Sequence, residues 1–338
     1  MWMVLPAISL ALVHIAGDNA GVVPDAAASG AGNMYLVIVL SYMVFGSLMT
    51  GASAWIGARS GYELGVLARR MFGCNGKRIF ASAVLGVSIP ASALTGGFFA
   101  GWLLALLTGI PQPLAVPLCL ALFSFLAAGR GAELLAVSNY ASLLLLPLLL
   151  AMFFLAGAPG PVTLAGSGDI DWLMVLALVG YNAGGMRPAL AAEAATCVSK
   201  KGGTKAVYLA VAAKLVEGLL TLAMAAIVLH SGTHAPLALA GAGYALLGPV
   251  GGSLFGLILF ATFANTMAPA MMVNARQTAV ITGLGFWPSL GLAAAAVLLV
   301  DQLGYQTILR IMAAGGLVMA GFIAYTAVYL HKYGVKQS

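Results

Sequence analysis

Two ionisable residues, Lys214 and Glu217, lie three positions apart inside an apolar stretch of this chain. On a helix that spacing makes them neighbours. Either one alone near a bilayer centre costs about 2.5–3.5 kcal/mol on insertion scales. They are therefore expected to act together, either as a structural ion pair or with Glu217 as a proton-coupling carboxylate. Two other polar segments interrupt apolar runs: Ala16-Gly17-Asp18-Asn19-Ala20-Gly21 and Gly180-Tyr181-Asn182-Ala183-Gly184-Gly185. Both contain the triplet Asn-Ala-Gly. Glycine lowers helix propensity by about 1 kcal/mol relative to alanine, and Asn competes for backbone hydrogen bonds. Both segments are expected to unwind locally. Freed N–H groups can hold an anionic group, and freed carbonyls a cation. Gly17, Asp18, Asn19, Gly21, Tyr181, Asn182, Gly184 and Gly185 are thus candidate solute-binding residues. The other reading is that the glycines only let helices pack closely.

Further polar residues carry less specific signals. Asp18 either attracts a cation or caps the second half of its helix. Arg187, just before Pro188, either binds a solute carboxylate, closes a gate or bonds freed carbonyls. Thr262, Asn265 and Thr266 recur at i, i+3 and i+4 and so share one helix face, where hydrogen bonding between helices is one role. Asp301 and Arg310 flank the last hairpin and suit a salt bridge. His230 and His234 are four apart with no third metal ligand nearby, and Cys74, Cys119 and Cys197 form no ligand pattern. No Walker loop or His-Glu-x-x-His motif is present. No cofactor, metal site or enzymatic constellation is expected.

The elements that must position these residues are membrane helices. Over 338 residues the chain is 62% hydrophobic and only 7% charged, where soluble domains carry about 25% charged residues. Ten apolar runs are legible, at 2–30, 34–58, 79–108, 113–129, 134–156, 171–198, 205–230, 247–275, 287–301 and 305–331. Most are long enough for the roughly 20 residues that cross a bilayer core. They lack the alternation of barrel strands. The expected class is an all-α polytopic membrane protein with one domain, 1–338. The first run has no basic segment ahead of it, so it is expected to be a retained span and not a leader.

Charge sets the expected orientation. With a cytoplasmic N-terminus, the inner loops hold Arg59, Arg69, Arg70, Lys77, Arg78, Arg130, Arg187, Lys200, Lys201, Lys205 and Arg276, and the tail holds Lys332 and Lys336. The outer loops hold no Lys or Arg. That satisfies the positive-inside rule with both termini cytoplasmic. The net charge of +6 follows from this bias and from attraction to anionic lipid. It calls for no nucleic acid partner. An Ala- and Gly-rich composition suits a bacterial inner membrane.

The spans fall into two sets of five, about 1–157 and 165–331, whose starts are offset by about 170 residues. Five is odd, so the second set must be inverted, a plan common in secondary transporters. Layout and breaks together resemble the amino acid-polyamine-organocation superfamily and its LeuT-like fold, with helices 1 and 6 discontinuous. Ile56-Gly57-Ala58-Arg59-Ser60-Gly61, followed by Leu67-Ala68-Arg69 and Phe72-Gly73, is similar to the segment after helix 2 in nucleobase:cation symporters. Gly180-Tyr181-Asn182 through Glu193 to Lys200-Lys201-Gly202-Gly203 resembles helix 6 and its following loop in YkvI-like membrane proteins, although the glycine-rich motif of their helix 1 is replaced here. The resemblance implies a sodium site in which Thr262, Asn265 and Thr266 join backbone of Ala16 and Gly17.

The expected function is secondary active transport of a small solute (an amino acid, nucleobase or related amine) by alternating access, coupled to Na+ or H+. The protein is expected as a monomer or homodimer in the lipid bilayer. The other class that fits is a non-transporting membrane protein, a sensor or assembly partner.

Overall fold

The computed structural model describes residues 18–29, 34–130, 143–157, 171–184, 188, 191–192, 195–196 and 203–333, without the side chains of Asp18, Cys74 and Arg130. Among these the regular structure is helical, with no strand. We label the helices α1 (18–28), α2 (Met34–Ser60), α3 (Leu64–Phe72), α4 (Gly76–Thr108), α5 (Gln112–Ala128), α6 (Leu145–Leu155), α7 (Trp172–Gly184), α8 (Gly203–Ser231), α9 (Ala238–Thr282), α10 (Phe286–Asp301) and α11 (Tyr305–Tyr333). Five of them, α2, α4, α8, α9 and α11, are long and apolar enough to cross a membrane, and α5, α6, α7 and α10 are shorter apolar helices.

The surface explains the composition. Large apolar side chains project outward, among them Val250 (85% exposed), Leu299 (70%) and Phe154 (68%). A surface this apolar suits contact with lipid. The polar side chains turn inward: Asn19, Asn182, Lys214, Glu217 and Asn274 are buried. The molecule is a multi-pass helical membrane protein. One helix departs from the pattern. In α3, Leu64, Leu67 and Ala68 are buried while Arg69 and Arg70 are exposed. It is a short amphipathic helix of the kind that lies along a membrane surface. The guanidinium of Arg70 stands 4.0 Å from the Tyr62 ring centre, a cation–π contact that secures its start.

Four stretches wind as π-helix: Asp18–Val22 at the start of α1, Val39–Gly46 in α2, Ala93–Ala100 in α4 and Leu126–Arg130 at the end of α5. Local widening of this kind concentrates at functional sites, and the first three border the polar interior. The span expected over 247–275 starts earlier: α9 begins at Ala238, and Gly248 (φ 71°, ψ −179°) breaks it before Pro249, leaving a first arm 238–247. Only glycine adopts that conformation readily, and Pro249 removes the N–H that would continue the first arm. Asp25 in α1 anchors that first arm. Its carboxylate accepts from the backbone N–H groups of Leu237 (3.1 Å) and Ala238 (2.7 Å) at the helix N-terminus.

The expected unwinding from Gly180 onward is corrected by the structure. α7 stays helical through Gly184, and 185–187 lie outside the described residues. The reason is packing. A Cβ at Gly180 would stand 3.0 Å from Met312 O, and one at Gly184 would strike the backbone of Gly316. On the other side of α11, a Cβ at Gly315 would come within 2.7 Å of Gly86 O in α4. Adjacent glycines therefore wedge α11 between α7 and α4, the close approach that small residues allow in membranes. Gly316→Val should lower stability by roughly 1–3 kcal/mol through overpacking. Gly321→Val on the same helix, where a Cβ meets nothing within 4 Å, should be neutral within about 0.5 kcal/mol. Thermal melts of both variants in detergent check this contrast.

Candidate functional site

The polar interior is organised around α8. Lys214, Glu217 and Thr221 are spaced i, i+3 and i+7, so they form one stripe along that helix. The stripe faces the helices that carry the two Asn-Ala-Gly triplets. Lys214 Nζ lies 3.0 Å from each carboxylate oxygen of Glu217. It also donates to Asn182 Oδ1 on α7. Glu217 Oε1 accepts from Asn19 Nδ2 on α1 at 2.8 Å. Asn19 Nδ2 further donates to Thr221 Oγ1 (3.2 Å), whose own proton goes to Glu217 O (2.8 Å). Thus the ion pair of α8 joins α1 to α7.

Burial makes this arrangement consequential. Lys214 is 2% exposed and Asn19, Asn182 and Glu217 are 0% exposed. A charge in such a place is tolerated when paired and hydrogen bonded. Asn182 Nδ2 donates to Leu178 O (2.9 Å), which turns its carboxamide oxygen toward the ammonium. The Tyr42 ring, in the π-helical part of α2, lies 5.1 Å from Nζ. Gly46 of the same segment makes room for the lysine stem, since a Cβ there would stand 2.8 Å from Lys214 Cε.

A second polar region adjoins the first through Tyr181. Ser88, Ser92 and Thr95 of α4 repeat at i, i+4 and i+7 on one face. With Tyr181 of α7 and Thr266 of α9 they line a cleft that Ala91, Met267 and Ala270 complete. Its free volume is about 10 Å³, the space of about one water. Behind it, buried Asn274 accepts from Ser88 Oγ and donates to Ser92 Oγ at 3.1 Å. The hydroxyl face of α4 and the role of Asn274 were missed in the sequence. The i, i+4, i+7 spacing in an otherwise apolar run was the available signal.

The expected site residues separate into groups. Asn19 and Asn182 meet Lys214 and Glu217 in the charged cluster, and Tyr181 enters the cleft. Gly21 faces an aromatic ring, where a Cβ would lie 2.5 Å from Phe99 Cδ1, and Gly184 faces Gly316. Both glycines sit in tight packing contacts. Thr262 Oγ1 donates to Ile258 O at 2.8 Å, Thr266 Oγ1 to Thr262 O at 3.5 Å, and Asn265 is buried. Ala16, Gly17, Gly185 and Arg187 lie outside the described residues, as does the side chain of Asp18. The segment Asp18–Val22 packs beside α8, α9 and the π-helical part of α4, so α1 borders both polar regions.

No family model matches the sequence, and no curated protein matches it. By structure the chain is similar to Mhp1, a nucleobase-cation-symport-1 family transporter solved in a closed conformation with bromovinylhydantoin bound. The TM-score is 0.68 at 19% identity, over 96% of this chain and 78% of that one. The two chains share one fold.

The charged cluster has a measurable signature. Removing one member of a buried ion pair leaves an uncompensated charge and costs about 3–5 kcal/mol, whereas removing both together is close to neutral. Lys214→Met and Glu217→Gln should each be destabilising to that extent, and the double variant should recover most of the loss. A double-mutant cycle on melting temperature checks the coupling.

Proposed function

We propose that this protein is a secondary active transporter of a small uncharged polar solute of nucleobase-like shape. The carrying observation is the hydroxyl-lined cleft between α4, α7 and α9, adjoining two helices held together by a buried ion pair. Its lining offers several donors and acceptors and no charged side chain. A planar heterocycle that both donates and accepts hydrogen bonds matches such a lining better than an amino acid or a polyamine, whose charges would need buried counter-charges. The likeness in fold to a protein that binds a hydantoin supports the same class.

The cleft as it stands holds about one water, so solute entry requires α1 and α7 to move against α4 and α9. Such motion is the alternating access of inverted-repeat transporters. In this reading the chain makes ten spans in two inverted sets of five, with both termini on the cytoplasmic side of an inner membrane. Asn19, Asn182 and the backbone around them couple the cleft to the ion pair. The driving ion is Na+, held by Thr262, Asn265 and Thr266 with α1 backbone, or H+, carried by Glu217. The Asn182 side chain belongs to the support of Lys214, so Asn182→Leu should lower stability as well as uptake.

The test is thermal stability of the purified protein against uracil, hypoxanthine, hydantoins, amino acids and polyamines, each in sodium and in choline. A nucleobase or hydantoin should raise the melting temperature. Ala91→Leu, which fills the cleft without removing a hydrogen bond, should weaken that response at least about tenfold, or roughly 1.4 kcal/mol. A shift with amino acids alone would reassign the substrate. No shift with any solute, together with no uptake in vesicles, would sink the transporter reading.

A further inference from the structure

We propose that the ammonium of Lys214 is a tethered cation: it fills a monovalent-cation site built by α2, α7 and α8, so that no free metal ion is needed there. The oxygens around Nζ are ligands a hard cation takes. They include the two Glu217 carboxylate oxygens at 3.0 Å each and the carboxamide oxygen of Asn182, all accepting from the ammonium, with the face of Tyr42 at 5.1 Å. They come from three helices that no local sequence feature joins.

Two further observations fit a seat for positive charge. The carboxamides are sorted by sign. Asn182 gives its N–H to Leu178 O and its oxygen to Nζ, while Asn19 gives its N–H to the carboxylate. The lysine stem also has a dedicated path. It enters past Gly46, where a Cβ would stand 2.8 Å from Cε, and a larger residue would push the ammonium out of reach. Through Glu217 Oε1 the same charge organises Asn19 on α1. Lys214 is therefore a positioning residue that holds the first helices of both halves, and unlike a bound ion it cannot leave between cycles. The consequence for coupling rests on the transporter reading, but the site itself does not. At this position the transport cycle exchanges no sodium.

The test uses Lys214→Ala in the purified full-length protein. Its melting temperature is compared with wild type in choline, sodium and n-propylammonium chloride at equal ionic strength. Propylammonium replaces the atoms the substitution deletes. The variant should be destabilised in choline and should regain roughly 5 °C in propylammonium at a hundredfold excess over Kd, with a smaller gain in sodium. These gains should exceed any shift of the wild type. Adding Glu217→Gln to Lys214→Ala should abolish them, because the carboxylate is the principal ligand. Equal shifts in wild type and variant, or none in the variant, would overturn the proposal. Should Lys214→Ala fold poorly, Lys214→Ser takes its place, and failure of both to recover in propylammonium also counts against it. Because no solute is involved, this result is separate from the failure of the transporter reading, which shows as absent solute shifts.

Discussion

A pair of charges buried inside an apolar helical bundle constrains much of this molecule. Lys214 and Glu217 sit on a helix whose other faces meet lipid or apolar neighbours. Neither charge can be left unpartnered at that depth without a large desolvation cost. Their partners must come from outside α8. Asn19 and Asn182 supply them, and so the two helices bearing the matching triplets are drawn to the same stripe. Tyr42 and Gly46 complete the seat from α2. A fully satisfied buried polar network of this kind rigidifies the packing around it.

Glycine does different work in the rest of the bundle. At Gly180 and Gly184 it permits α7 to touch the backbone of α11, and at Gly86 it permits α4 to do the same from the opposite side. Those contacts replace the hydrophobic drive that is absent between helices in lipid. At Gly248 the requirement is conformational, since a positive φ breaks α9 after its first arm. Asp25 ties that arm to α1, the helix whose Asn19 bonds Glu217 in the charged cluster.

The cleft lies where these two systems meet. α4 contributes hydroxyls on one face and glycine contact on another, and α7 contributes Tyr181 to the cleft while its neighbour Asn182 supports the lysine. A small displacement of α7 would be felt by both. The supporting shell behind the cleft, Asn274 with Ser88 and Ser92, fixes the hydroxyls in place while leaving the wall uncharged.

Much of this was legible beforehand, for identifiable reasons. Apolar runs at 287–301 and 305–331 correspond to α10 and α11 almost to the residue, because membrane length and hydropathy are properties of the local sequence. The pairing of Lys214 with Glu217 was equally local, since three positions on a helix place two side chains together. The unwinding expected from Gly180 failed because glycine carries one signal for two outcomes, helix breaking and close packing. Which outcome occurs depends on Gly316, more than a hundred positions away. The meeting of Asn19 with Glu217, of Asn182 with Lys214, and of Asn274 with Ser88 and Ser92 was likewise beyond local reading. By itself the sequence determined the class of protein, the long apolar helices, and that Lys214 and Glu217 had to find partners. Only the tertiary structure decided who those partners are, because that choice depends on how helices distant in the chain pack side by side.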